Sequence, residues 1–428
     1  VVTALLACGG CVGFYRGDAT LIVDDLKALR PTLLCAVPRL LTRICDKVIS
    51  TGTSAPGIKG VLFRAALQDK LHRLESYGQT SHLLWDPLVF APIKRTLGFD
   101  RLKTVLSGGA PLNANVMSFF RVLLGSGAAC HEGYGMTETT GATTMTAPED
   151  LSTGHVGGPF PSLEVRLMDV PEMGYSHTDT EHDGKPCEGR GEICVRGPGV
   201  FLGYYKADEE TAKALTPDGW LLTGDIGSWT SQGQLVIIDR KKNLFKLAQG
   251  EYVAVERVEN ILSQAALVSQ LLVHGESTEN CVVAIVVPDE EEAKRWANSH
   301  QWTHGQTSQT EAKASDVVAE ETKSAEESKE LFMAKICTSP EFKDAVLQQM
   351  TVIGKERNLA GYEIVKAIHL EPEQWAPQGA DGTTGLLTPT LKIRREAARV
   401  KYSAIIKQMY ESLHVGAQQS ASVSHSKL

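Results

Sequence analysis

Residues 104 to 124, TVLSGGAPLNANVMSFFRVLL, restrict the fold of this chain more than any other stretch. An apolar run meets two consecutive glycines and is followed by apolar residues at helical spacing, which predicts a strand, a tight turn and an amphipathic helix in immediate succession. That unit is the usual setting for a ligand at the carboxyl end of a strand in an α/β fold. The same alternation begins upstream, where LIVDDLKALR has helical spacing and PTLLCAVPRLL reads as a short apolar strand stopped at Pro38. The opening VVTALLACGGCVGF reads as a buried strand or helix broken by glycines, with no basic leader, as though the chain starts inside a domain.

From 163 to 238 the pattern changes to short alternating strands such as EICVRG and GQLVIID separated by glycine turns, so an antiparallel subdomain is expected there. After Asp239 comes RKKNLFK, dense in charge, then a helix in VERVENILSQ, strands in SQLLVHG and CVVAIVVP, and a helix from 290. The fold class expected is therefore α/β: part of a large domain over 1–238, with α/β sheets plus an antiparallel β subdomain, followed by a small α+β domain over 239–415. Residues 299–330 are polar and nearly free of large aliphatics, which predicts a solvated insertion, and 416–428 read as a flexible tail.

Composition narrows the partners. A net charge of −8 with no long basic block argues against nucleic acid and against an anionic membrane surface. No apolar run reaches the length of a transmembrane segment. Nine cysteines without disulfide-framework spacing fit a reducing compartment. Cys8 and Cys11 form a C-x-x-C pair with no second pair at zinc-ribbon spacing, so burial in a core is expected of them.

CHEGYGMTETTGATT, residues 130 to 144, has the glycines and hydroxyls of a phosphate-gripping loop but carries Glu132 and Glu138 where such a loop normally has a lysine. A cation must then come from elsewhere. LLTPTLKIRRE presents Lys392 behind Pro389, which stiffens the approach, and between residues that favour an extended or turn conformation.

Read in order, TVLSGGAPL, GYGMTET, DGWLLTGDIGSWTSQGQLVIIDRKKNLFKLAQGEYV and TPTLKIRRE resemble the adenylate-forming (AMP-binding) superfamily, and the long third block resembles long-chain fatty acyl-CoA synthetases. The resemblance implies ATP-dependent activation of a fatty acid: its carboxylate attacks the α-phosphorus of ATP, pyrophosphate leaves, and the thiol of coenzyme A then displaces AMP. It implies that Gly109, Ala110 and Pro111 border the adenine, with Gly133 and Tyr134 beside it and the Tyr134 ring against its face. Thr137 would bond the α-phosphate and Glu138 would hold Mg²⁺. Asp225 would accept from both ribose hydroxyls, and Arg240 would add donors on the same side. Lys392 would bridge the substrate carboxylate and the α-phosphate once the small domain swings about a hinge near Asp239. In a second orientation KLAQGEYV would face the acyl-adenylate, with Gly250 beside the pantetheine channel and Lys246 as a cation there. GEICVRG and FLGYY match the family pattern and are expected to do structural work. His131 is expected to pack rather than to touch substrate.

The family's Ser/Thr/Gly-rich phosphate loop ending in Pro-Lys is expected before VPRLLTRICDKV, and this chain carries no such loop there. STGTSAPGIKG, 50 to 60, mimics its composition but follows that segment and reads as a linker between helices. The expectation is a C-terminal portion of a longer synthetase, with the activity belonging to the full-length parent. Ser426, Lys427 and Leu428 form the address read by the peroxisomal import receptor, or by that of a peroxisome-derived organelle. Competing readings are an aryl-acid CoA ligase or luciferase-like enzyme with the same tail, and a non-catalytic nucleotide- or acyl-binding remnant.

Overall fold

The computed structural model describes residues 2–17, 21–182, 184–300, 302, 330–377, 385–388 and 391–425. The chain forms two units, Val1–Ile237 and Ile238–Leu428.

The first unit opens with helices α1 (Val2–Ala7) and α2 (Ile22–Leu29). Strand β1 (Leu33–Ala36) follows, then α3 (Pro38–Thr53) and α4 (Ile58–Tyr77). Pro38, expected to stop a strand, also starts α3 at its first turn, where its missing N–H costs no hydrogen bond. α5 (Ala91–Leu97), β2 (Thr104–Gly108), α6 (Ala114–Leu124), β3 (Ala129–Met136), β4 (Gly141–Met145) and β5 (Gly158–Pro159) complete the first layer. The five strands lie in the order β1-β2-β3-β4-β5. β1, β2 and β3 are parallel, and β3, β4 and β5 pair antiparallel. α6 places Val116, Met117, Phe119, Phe120 and Leu123 in the same buried cluster as Leu41 and Ile44 of α3 and Val105 of β2. Asn113 accepts from the Asn115 amide and caps the helix.

A second sheet holds β6 (Glu164–Met168), β9 (Arg190–Arg196), β10 (Leu221–Trp229) and β11 (Leu235–Arg240) in the order β11-β10-β9-β6. Between its strands lie the short pair β7 (Glu181–His182) and β8 (Lys185–Pro186), and helix α7 (Asp208–Ala214). β9 pairs antiparallel with both β6 and β10, as glycine-punctuated alternation leads one to expect.

The second unit contains hairpin β12 (Phe245–Lys246) and β13 (Tyr252–Val253), helix α8 (Val255–Leu262), β14 (Val268–His274), β15 (Val283–Pro288), α9 (Glu290–Ser299), α10 (Pro340–Glu356), β16 (Ala367–Leu370) and α11 (Arg395–His425). β14 and β15 are antiparallel, and β15 and β16 are parallel. Alternate residues of β15 enter two cores. Ala284 and Val286 join α8, α9 and α10, whereas Val283, Ile285 and Val287 join Trp375 and α11. Within the second core the Trp375 indole donates to the Tyr402 oxygen at 2.8 Å, and Tyr402 donates to Glu371 at 2.6 Å, so both buried polar tips are satisfied.

Two expectations need correction. The opening segment is not buried: Phe14 is 84% exposed, and Cys8 and Cys11 are exposed, because six residues of α1 followed by irregular chain supply no strand for a sheet to cover. STGTSAPGIKG is not all linker, because α3 runs to Thr53 and α4 starts at Ile58. Residues 303–329 of the polar insertion, Pro389, and Ser426, Lys427 and Leu428 lie outside the described residues.

Candidate functional site

Strand β2 ends at Gly108, opposite Gly133 of β3. The chain leaves β2 through Gly109, whose φ of +81° suits glycine and few other residues. Gly109, Ala110 and Pro111 are exposed, and Leu112 is buried. What holds that turn is Glu132: its Oε1 accepts from the Leu112 amide at 2.8 Å, and its own amide donates to Thr146 Oγ1 at 3.1 Å. Burial pushes the Glu132 carboxyl up to about 7, against the opposing pull of the Leu112 amide. Glu132, met in sequence as an oddity of a phosphate loop, is thus a buried strut under the Gly109–Pro111 turn. His131 is buried next to it, its Nδ1 2.9 Å from the Thr146 carbonyl, and packs as expected.

Two positions beyond Glu132, Tyr134 pairs with Thr144 across β3 and β4. Its ring packs on the cluster of Val156, Ile193, Val195 and Leu235, and its hydroxyl donates to Asp225 Oδ2 at 2.7 Å. Asp225 is buried in β10 at a register shift between Leu222 and Ile226. Its amide donates to Thr223 Oγ1 at 3.1 Å, and the neighbouring Gly224 amide donates to Glu192 Oε1 at 3.1 Å. The bulge re-aims Asp225 out of the regular pleat.

β3 then breaks into a single 3-10 turn over Thr137–Thr139. Thr137 is exposed and Glu138 half-buried. The Glu138 carbonyl accepts from the Phe201 amide at 2.8 Å, and its carboxylate Oε1 accepts from the Tyr204 hydroxyl at 2.9 Å. Thr140 Oγ1 donates to the Gly199 carbonyl at 2.7 Å. FLGYY is therefore more than scaffold, because Phe201 and Tyr204 fix the backbone and the carboxylate of the Thr137–Glu138 turn. Burial and the Glu138 carboxylate push the Tyr204 phenol up, so it stays a proton donor.

In the second unit Arg240 is exposed at the end of β11, and its amide donates to Asp239 Oδ1 at 2.6 Å. Asp239 is buried and also accepts from the Glu256 amide at 2.8 Å and from Asn243 Nδ2 at 3.3 Å. Burial, with the Glu256 carboxylate adding to it, pushes Asp239 up to about 7. In the hairpin, Lys246 pairs with Tyr252, and its ammonium sits 5.4 Å from that ring's centroid. Gly250 closes the turn at φ +95°. Lys392 is half-buried in a turn whose ends are laced: the Thr388 amide donates to the Lys392 carbonyl at 2.7 Å, and the Lys392 amide donates to Thr388 Oγ1 at 3.0 Å.

Residues 1–205 match the family described as AMP-binding enzyme. The chain is 42% identical over 405 residues to Long chain acyl-CoA synthetase 7, peroxisomal, of Arabidopsis thaliana, across 95% of this chain and 52% of that protein. It is 40% identical over 411 residues to Long-chain-fatty-acid--CoA ligase 6 of Homo sapiens, across 96% of this chain and 52% of that protein. Residues 1–205 belong to the AMP-binding enzyme family. Among solved structures, the adenylation domain of a carboxylate reductase from Mycobacterium chelonae has the same fold, with a TM-score of 0.65 and 26% identity over 92% of this chain and 49% of that one. The chain spans about half the length of the curated relatives it matches.

Of the sequence-predicted site residues, the first unit joins Tyr134 directly to Asp225 and sets the Gly109–Pro111 turn beyond β2, the strand that neighbours that of Tyr134. Arg240, Lys246, Gly250 and Lys392 all belong to the second unit. Sequence reasoning missed Glu132 as a strut and Tyr204 as the partner of Glu138. A glutamate in an apolar strand is a signal for the first; nothing local signals the second, 66 positions away. Among the described residues no three His, Cys, Asp or Glu side chains gather as a metal cluster.

Proposed function

We propose that the full-length protein activates long-chain fatty acids to acyl-CoA with ATP, through an acyl-adenylate. The reading is supported above all by the Tyr134–Asp225 hydrogen bond of 2.7 Å, which puts a flat ring and a ribose-accepting carboxylate in one place.

In the first step a fatty carboxylate oxygen bonds to the α-phosphorus of ATP, and the bond to pyrophosphate breaks. The adenine lies between the Tyr134 ring and the Gly109–Ala110–Pro111 turn, with Gly133 presenting backbone beside it. Asp225 accepts from the ribose hydroxyls, its Oδ2 already oriented by Tyr134, and Arg240 donates on the ribose side. Thr137 donates to the α-phosphate. Glu138 has the hard oxygen chemistry that suits Mg²⁺, which is usually held by one or two carboxylates plus substrate phosphates; a site with a single carboxylate fits it. When bound, Mg²⁺ neutralises charge on the phosphate oxygens. Tyr204, donating to Glu138, keeps that carboxylate pointed in one direction. Lys392 supplies the cation that the glycine-hydroxyl turn lacks, meeting charge as it builds between the carboxylate and the α-phosphate. In the second step the thiolate of coenzyme A attacks the acyl carbonyl and AMP leaves, with Gly250 admitting the pantetheine arm and Lys246 offering a cation near it.

The Ser426-Lys427-Leu428 terminus is proposed to bind the peroxisomal import receptor, placing the enzyme in peroxisomes or an organelle derived from them. The test of the activity is acyl-CoA formation from palmitate and, in parallel, from coumarate, with ATP, Mg²⁺ and coenzyme A. Palmitoyl-CoA and AMP in equal amounts are expected. Preference for coumarate would overturn the fatty-acid assignment, and ATP binding without any acyl-CoA would favour a non-catalytic remnant.

A further inference from the structure

Three residues beyond Lys392, Arg395 begins α11 and makes a two-pronged ion pair with Glu259 of α8: Nη1 to Oε1 at 3.0 Å and Nη2 to Oε2 at 2.6 Å. Planar forks of this kind fix direction as well as distance. Both side chains are largely withdrawn from solvent, 21% and 12% exposed. Glu259 Oε1 also accepts from the Val273 amide of β14 at 2.8 Å, so the carboxylate is tied to the central sheet. Burial works against the Arg395 charge, but the Glu259 carboxylate outweighs it, helped by Glu256 and Asp239, and the guanidinium is held in its charged form. On the other side of Arg395 the chain returns into the Lys392 turn through three backbone links. The Arg394 amide donates to the Leu386 carbonyl at 2.8 Å, Leu387 and Ile393 bridge antiparallel, and the Leu391 amide donates to the Thr388 carbonyl at 2.8 Å. Leu391 holds a φ of +62°, which an L side chain adopts only when its surroundings impose it.

We infer that Arg395 is a positioning residue for Lys392, and that α8 is the shared strut of the second unit's two functional turns. Resting on the role proposed above for Lys392, this assigns α8 two anchors one turn apart. Through Glu259 it takes up the Lys392 turn. Through the Glu256 amide it is held by Asp239, and Glu256 Oε1 accepts from Asn243 Nδ2 at 2.8 Å, next to the Lys246–Gly250 hairpin. A buried ion pair contributes little net stability compared with apolar residues of similar volume, but it fixes geometry. Its value here is the direction in which Lys392 is held.

Two readouts in the full-length protein test this. The first is backbone amide exchange at Leu391, Lys392 and Arg394 against that of β14 and β15. The second compares ATP–pyrophosphate exchange with thioesterification of supplied palmitoyl-adenylate. Arg395→Met is expected to speed exchange of the turn amides at least tenfold and to cut pyrophosphate exchange at least tenfold, with thioesterification within twofold of wild type and Arg395→Lys restoring part of both losses. Because Arg395→Met leaves Glu259 buried without its cation, the double variant Arg395→Met/Glu259→Met removes the tie without stranding a charge, and the same split is expected from it. Turn amides that stay as protected as in wild type, β14 and β15 amides that loosen equally, or equal loss of both half-reactions would each overturn the positioning role. Lys392→Ala in the same assays separates the two levels: if it leaves pyrophosphate exchange unchanged, the role of Lys392 fails, while the amide comparison still decides whether Arg395 orders the turn.

Discussion

Tyr134 and Asp225, 91 positions apart, meet through a hydrogen bond of 2.7 Å from phenol to carboxylate. The bond links the end of β3 to the bulge of β10 and thereby joins the two sheets of the first unit. It holds the ring proposed to stack on adenine and the carboxylate proposed to accept from ribose at a fixed mutual distance.

Tyr134→Phe keeps the ring and removes only that bond. A hydrogen bond to a charged group is worth about 1.5–3 kcal/mol, so AMP affinity measured by calorimetry is expected to fall roughly tenfold, because Asp225 loses its orientation. Unchanged affinity would mean the phenol does not position the carboxylate.

Glu132 makes stability depend on pH with a definite sign. Its folded-state pKa of about 7 lies above the ordinary 4.5, so the folded form binds the proton more tightly than the unfolded form does. The contribution is present below about pH 4.5 and is lost as pH rises to about 7, at about 1.4 kcal/mol per pKa unit as an upper bound. Asp239 acts in the same sense in the second unit. Glu132→Gln is expected to flatten the fall in thermal midpoint between pH 5 and 7. A slope identical to wild type would contradict the assignment.

How much of this was legible in the sequence depends on the distance between cause and effect. The strand, glycine turn and helix of 104–124 rest on neighbours, and local pattern suffices to place them. So do the antiparallel strands between glycine turns. The helix α10 escaped because charged and polar residues interrupt its apolar face, and its segment follows a long polar stretch. Tyr204 with Glu138 and Arg395 with Glu259 lie beyond any pattern in one window: the first pair is separated by 66 positions and the second by 136. Their geometry is a property of tertiary packing.

Tyr204→Phe tests the first of these pairs. The Glu138 carboxylate loses its single oriented donor from the FLGYY segment, so the Mg²⁺ concentration giving half-maximal acyl-CoA formation is expected to rise several-fold, with AMP affinity in the absence of metal little changed. Equal Mg²⁺ dependence in both proteins would remove Tyr204 from the site.

A buried lysine offers a test of stability independent of chemistry. The Lys70 side chain of α4 is 1% exposed, ion-paired with Asp86, hydrogen-bonded to the Val122 carbonyl, and 4.5 Å from the Phe90 ring centroid. Burial pulls its pKa down. Asp86→Asn leaves that charge without its counter-ion and is expected to cost about 3–5 kcal/mol in chemical denaturation. Lys70→Met with Asp86→Leu removes both charges and is expected to cost much less. Equal losses would show that packing, not charge, dominates there.

Lys392 is proposed to supply the cation for a glycine- and hydroxyl-rich segment, residues 130 to 144, that contains no lysine or arginine. Palmitate-dependent ATP–pyrophosphate exchange by the full-length protein, wild type against Lys392→Ala, measures it most directly. The account predicts a loss of a hundredfold or more in the variant, with thioesterification of supplied palmitoyl-adenylate largely kept. Exchange that survives in Lys392→Ala at the wild-type rate, or a wild-type protein that binds ATP and never exchanges pyrophosphate, would contradict it.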